Sequence, residues 1–293
     1  MFGLDVGLSY AVLSALLLGV YLFCIKRYFE DYPATVYVGL TYGFSLLWYL
    51  PVAAVSLDGN ALPPGFGLAE TALLVGALAG SVIAVLTSFR SVAVGDVSYV
   101  APIGKLVPVF VLPIELLALG AQLSPVQVGG VVVATAAVYV ANYEPGKLFA
   151  PLVRAARSHA ARLALASAAA FGAVDVGKRV LMQEVGMAPA AFNVALFVTI
   201  PVALAPLALR RVPDGIRADL PKFAAVGLLL AAGEHLVMLS FADLPASLAS
   251  PVINTQAVVA VVLGGVLLGE EALRIRLVAA AFAVAGVTLI TLG

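Results

Sequence analysis

Ser98 to Gly120 reads SYVAPIGKLVPVFVLPIELLALG, and Ser247 to Gly269, 149 positions later, reads SLASPVINTQAVVAVVLGGVLLG. Ser98 stands over Ser247, Pro102 over Pro251, Val109 over Val258 and Gly120 over Gly269. Each copy is apolar over about the 20 residues that a helix needs to cross a hydrocarbon core. A duplicated unit with an odd number of crossings sits in opposite orientations in its two copies, the inverted-repeat plan of many secondary transporters. The duplication predicts an all-α integral membrane protein of ten transmembrane helices in two inverted five-helix repeats. The first repeat spans residues 1–146; a basic linker and the second repeat span 147–293.

Composition fixes the solvent. Apolar residues make up 63% of the chain and charged residues 11%, with a mean hydropathy of +1.10. Soluble domains carry about 25% charged residues, so a polar outer surface is excluded. The apolar runs are continuous and lack the two-residue alternation of an outer-membrane barrel. Ten windows are long enough to cross: Leu8 to Arg27, Ala34 to Ser56, Leu68 to Arg90, Val97 to Leu119, Pro125 to Tyr143, Arg162 to Met182, Pro189 to Leu209, Pro221 to Ala242, Ala246 to Leu268 and Ala272 to Leu292. No basic region precedes the first run, so Leu8 to Ile25 is expected to be a retained span. The single cysteine, Cys24, forms no intramolecular disulfide and leaves no thiolate cluster for a metal.

Basic residues divide sharply between the two sides. Connections after odd-numbered helices hold Lys26, Arg27, Arg90, Lys147, Arg154, Arg157, Arg162, Arg210, Arg211, Arg217, Lys222, Arg274 and Arg276, whereas the other side has only Lys178 and Arg179. Basic loops stay cytoplasmic, so a multi-pass cell-membrane protein with outside termini and a cytoplasmic central linker is expected. Gly19 with Lys26 near the end of the first helix matches Gly172 with Arg179 near the end of the sixth, which sets these basic ends on opposite faces.

A serine and a proline opening an apolar helix that closes in Leu-Gly-Glu, here Ser247, Pro251, Leu268, Gly269 and Glu270, resembles the EamA-like branch of the drug/metabolite transporter superfamily. The first copy keeps Ser98, Pro102, Leu119 and Gly120 but has Ala121 in place of the acid. The resemblance implies the ten-helix plan and transport of amino acids, nucleotide sugars, drugs or other small metabolites. It also implies a substrate cavity lined by helices one to four and six to nine, with helices five and ten peripheral and at a homodimer contact. Cytoplasmic termini belong to the family plan; the charges of this chain argue the reverse.

Polar groups deep in the apolar windows are the candidate site. Lys105 lies about eight residues, or roughly 12 Å, into the fourth window, and its counterpart at the 149-residue offset is Asn254. The pair would offer a cation and an amide from the two halves to an anionic or carboxylate-bearing solute; the alternatives for Lys105 are an internal ion pair or a snorkelling side chain. Glu234 and His235 fall near the middle of the eighth window, and adjacent helical residues point about 100° apart, so one of them faces a cavity squarely. Glu234 is a candidate counter-ion of Lys105, proton carrier or ligand for a substrate ammonium; His235 is a second candidate for proton coupling. Asp175, Lys178 and Arg179 have the spacing of a local charge pair near the outer face, and Asp175 and Lys178 would alternatively form a gate. Asn193 and Gln256 are further cavity amides, and Tyr42 and Tyr99 candidate aromatic walls. Arg90 and Glu115 are expected at the interface. Pro102 and Pro251 are expected to break their helices at matching places.

An enzyme is not expected: the chain has no HExxH, GxSxG or P-loop and only two histidines, His159 and His235. No cofactor and no nucleic acid is implied; the expected partners are the lipid bilayer and a small-molecule solute. The function expected is a secondary transporter moving a small polar or zwitterionic solute by alternating access, with proton coupling through Glu234. A channel, a nonenzymatic membrane scaffold and an exporter of lipids or hydrophobic compounds are the alternatives.

Overall fold

A computed structural model describes residues 6–57, 62–95, 103–141, 158–268 and 273–292, and among these every regular element is helical. Tyr99, Pro102, Gly269, Glu270 and the linker cations Lys147, Arg154 and Arg157 lie outside the described residues. The helices are α1 (Val6–Phe29), α2 (Ala34–Ser56), α3 (Leu68–Val94), α4 (Val107–Ala118), α5 (Pro125–Ala141), α6 (His159–Gln183), α7 (Pro189–Ala208), α8 (Leu220–Asp243), α9 (Ala246–Asn254), α10 (Gln256–Leu267) and α11 (Leu273–Leu292), with a 3-10 turn at Ile216–Asp219. Among the described residues seven spans are long and apolar enough to cross a membrane, α9 and α10 together making one of them; Val107–Ala118, Pro125–Val140 and Leu277–Ile290 are shorter apolar helices.

The fourth and ninth windows are not continuous helices. α4 begins only at Val107, after a turn at Lys105 and Leu106, and Thr255 separates α9 from α10. The two breaks have the same hydrogen bonds. Leu106 N–H donates to Ile103 C=O at 3.1 Å, and Leu106 C=O accepts from Val109 N–H at 3.1 Å; Thr255 N–H donates to Val252 C=O at 3.0 Å, and Thr255 C=O accepts from Val258 N–H at 2.8 Å. Each of these residues in the second break stands 149 positions after its mate in the first. The breaks therefore come four residues after the prolines from which they were expected: Pro251 lies inside α9, and the tight turn forms where the chain reaches the cavity.

Close approaches repeat as well. A Cβ on Gly19 would lie 2.9 Å from the Gln256 carbonyl and would strike Val259; one on Gly172 would lie 2.9 Å from Phe110 Cβ and 3.3 Å from the Val107 carbonyl. Positions 256 and 259 correspond to 107 and 110, so α1 meets α10 as α6 meets α4. Likewise α1 packs on α8 as α6 packs on α3, while α2 pairs with α7 and α5 with α11 across the halves.

Directions follow from the ends of the helices. Gly7, at the start of α1, abuts Leu244, and Gln183, at the end of α6, donates to the carbonyls of Phe241 and Leu244 at 2.8 Å each. α1 and α6 thus run in opposite directions. We call the end holding Leu244 the far end and the end where α3 finishes and α6 starts the near end. At the near end Phe29 stacks on Phe223 with centroids 4.0 Å apart, Tyr32 meets both rings edge-on, and its hydroxyl donates to Asp219 at 2.5 Å. That carboxylate also pairs with Lys222 at 2.6 Å, and it holds the Tyr32 phenol above its ordinary range.

Candidate functional site

Between α1, α3, α4, α6, α8, α9 and α10 lies a cavity of about 290 Å³ into which four ionisable side chains converge. Lys105, Asp175, Lys178, Glu234, Asn254 and Gln256 line it, with Ser88, Ser91 and Ser167 toward the near end and Phe171 and Phe241 against its apolar wall. Four side chains thus bring two ammonium groups and two carboxylates into one small volume. Such a set is costly in a bilayer core unless the groups pair with one another, with water or with a ligand.

The ion pair is not the one expected. Glu234 on α8 faces Lys178 on α6 at 3.9 Å, with both side chains nearly buried, and its Oε2 has no hydrogen-bond partner among the described residues. Lys105 has no carboxylate within ion-pair distance among the described residues, so the proposed Lys105–Glu234 counter-ion pair is replaced by Lys178–Glu234. Lys178 also sits 5.9 Å from the Phe192 ring centroid and 6.0 Å from that of Phe241, a cation flanked by aromatic faces. Asp175 does not form the local surface pair suggested by its spacing. Its Oδ2 accepts from Ser250 Oγ at 2.7 Å, and Asn254 Nδ2 donates to the Ser250 carbonyl at 2.8 Å, so one polar chain joins α6 to both turns of α9. Lys178 and Arg179, adjacent on α6, point to different neighbours because a helix turns about 100° per residue.

Arg179 leaves the cavity altogether. It pairs with Glu184 and lies 3.6 Å from Glu115, which is fully buried and not at the interface where it was expected. Glu115 accepts the N–H groups of Ala246 at 2.7 Å and Ser247 at 2.6 Å. Sequence reading placed this residue at the interface and missed its buried role. Its signal was the mismatch between copies: Glu115 stands over Gly264.

Three expected cavity residues lie elsewhere. His235 Nδ1 is 2.7 Å from Tyr49 Oη, and Asn193 Nδ2 donates to the same hydroxyl at 3.2 Å, on the α2–α7 side of α8. Tyr42 packs edge-on against Phe197 with centroids 5.9 Å apart. None of the three lines the charged cavity. A larger groove of about 790 Å³ between α1, α10 and α11 carries only hydroxyls from Ser9, Thr255 and Thr288 among apolar side chains.

The model of the EamA-like transporter family matches residues 5–143 and again 160–292. The chain belongs to the EamA-like transporter family. It is a membrane transporter of the drug/metabolite transporter superfamily, and members of the EamA-like family are transporters and not enzymes. The two matched segments divide this EamA-like transporter as the duplicated helix breaks do. A solved chain described only as "Crystal structure of protein" superposes with a TM-score of 0.77 at 14% identity, covering 98% of this chain and 96% of that one, which shows a shared fold. No curated protein matches the sequence.

Proposed function

We propose that this EamA-like transporter carries a small zwitterionic or polar organic solute across the cell membrane by alternating access, through ten spans arranged as two inverted repeats. The observation that carries this reading is the mixed-charge cavity at two repeat-equivalent helix breaks. Discontinuous helices free backbone groups and line midplane sites in many carriers. The opposite courses of α1 and α6 and the duplicated turn hydrogen bonds support the inversion.

Lys105 takes the carboxylate of the solute, and Asn254 contributes an amide from the matching position. Asp175 and Glu234 take the ammonium group. Lys178 neutralises Glu234 while the cavity is empty, and solute binding competes for that pair. The cavity volume lies at the lower end of the range for small-ligand sites, which suits an amino-acid-sized solute better than a nucleotide sugar. Proton coupling is assigned to Glu234, whose Oε2 lacks a hydrogen bond, and no longer to His235, which is engaged by Tyr49.

Orientation follows the charges. With Lys178 and Arg179 drawn into the protein interior and Lys105 in the cavity, the far-end connections hold no Lys or Arg, and every other Lys and Arg belongs to the near end or the linker. The near end is then cytoplasmic, both termini are outside, and the cavity, which extends toward Ser91, faces the cytoplasm. The test is a ligand screen by thermal stabilisation across amino acids, sugars, nucleotide sugars and organic cations, followed by counterflow in liposomes. Lys105→Ala should lose affinity for the solute that stabilises the wild type. Full affinity and rate in that variant would remove the carboxylate assignment.

A further inference from the structure

The first turn of a helix has N–H groups without intrahelical partners, and a nearby side chain ordinarily caps them. α9 has Pro245 at its N-cap and no such side-chain cap. Its cap comes from the other repeat: Glu115, on α4, takes the Ala246 and Ser247 N–H groups, one on each carboxylate oxygen. Glu115 is 0% exposed, so its charge is compensated by these two donors, the positive end of α9 and the nearby Arg179. Gln183 fixes the preceding chain through the Phe241 and Leu244 carbonyls. The far end is thus tied together around one carboxylate.

α9 is a nine-residue rod, every residue of it buried, and it links this tie to the cavity. At its far end stand the N–H groups held by Glu115; farther along, Ser250 holds Asp175 and Asn254 faces the cavity, just before the break at Thr255. Anything that pulls on Ser250 or Asn254 therefore bears on the Glu115 contact as well. Nothing matches it in the second repeat, where Gly264 occupies the corresponding position.

We propose that Glu115 is the positioning residue of a one-sided latch: it holds the far end shut by capping α9, and its release lets α9 tilt and open the cavity to that side. The inference rests on the alternating-access reading, to which it adds the residue that sets the resting conformation. Because the position equivalent to Glu115 in the second repeat, Gly264, has no carboxylate to form the same latch, the empty carrier rests closed at the far end.

The test is the distance between spin labels at Ala118 and Asp243, both exposed far-end positions, in the purified full chain carrying Cys24→Ser. Glu115→Gln keeps the shape but turns an amide N–H₂ toward one backbone donor. It should shift the population roughly tenfold or more toward a longer distance, as loss of a charge-assisted hydrogen bond implies. Ala246→Pro deletes one donor from the opposite side, at a first-turn position that accepts proline after the extended Pro245, and serves if the Glu115 variant does not fold. It should shift the same way. A wild-type distance distribution in the folded variants overturns the latch, whatever their transport rates. Absence of saturable counterflow in the wild type would instead sink the transport reading, without touching the distance result.

Discussion

Lys178 and Glu234 make the most informative pair of side chains, because neither is intelligible without the other. Removing one partner of a buried ion pair leaves a charge with no compensation, at a cost of about 3–5 kcal/mol where burial is complete. Here the cavity admits solvent, so the lower end applies: Lys178→Met should destabilise by about 3 kcal/mol in detergent unfolding curves. Lys178→Met with Glu234→Gln should cost less than the sum of the two single changes, and strict additivity in that cycle would show that the 3.9 Å approach carries no coupling. At the level of function, Glu234→Gln should weaken the apparent affinity in counterflow, because it removes one carboxylate from the solute ammonium, and should abolish the response of uptake to an imposed pH gradient; uptake that still follows the gradient would remove the proton assignment. Residues at this scale were only half legible. Lys105 and Asn254 could be matched because the duplication carries its own numbering, and Glu234 stood out as a charge in an apolar window. The partners of Lys178, Asp175 and Glu115 come from helices 56, 75 and 131 positions away, and no local pattern encodes which face of which neighbour a side chain meets. His235 illustrates the opposite failure: depth in the helix was readable, but the face it turns toward Tyr49 was not.

Among the helices, the duplicated approach of α1 to α10 and of α6 to α4 depends on Gly19 and Gly172. Overpacking a close helix contact costs about 1–3 kcal/mol, so Gly19→Ala and Gly172→Ala should each lower the thermal midpoint, Gly19→Ala more, since its added Cβ meets a backbone carbonyl more closely. Equal midpoints for both variants and the wild type would mean that these contacts relax freely. The near-end clasp has a pH signature. The phenol of Tyr32 is held above its ordinary value of 10.0 by the accepting Asp219, so its contribution is fully present below that value and disappears as pH rises through the raised one. The midpoint difference between wild type and Tyr32→Phe should therefore be flat through neutral pH and vanish only in strong alkali. Most helix positions were readable from apolar run length, because a membrane leaves the backbone no other way to satisfy its hydrogen bonds. The exact breaks were not. Proline marks where a helix is weakened, whereas the turn forms where freed groups find partners, four residues on at Leu106 and Thr255.

For the molecule as a whole, the proposed inversion and the charge bias make one joint statement about topology. A cysteine at Gln122, exposed at the far end, should react with an impermeant maleimide on intact cells, and one at Arg211, exposed at the near end, only after permeabilisation. The reverse pattern would restore cytoplasmic termini and turn the cavity outward. The family match and the shared fold cover nearly the whole chain, yet neither says what is carried, because selectivity resides in the few groups that line the cavity. The central claim is that those groups bind a zwitterion between Lys105 and the two carboxylates. The most direct measurement is counterflow of a radiolabelled amino acid, chosen by its stabilisation of the purified protein, into liposomes containing wild type or Lys105→Ala. Saturable exchange by the wild type, with an apparent affinity at least about tenfold weaker in Lys105→Ala, as expected for loss of one charge-assisted contact, is the outcome this account requires. Exchange of equal affinity in both, or wild-type flux that rises with concentration without saturating, would contradict it.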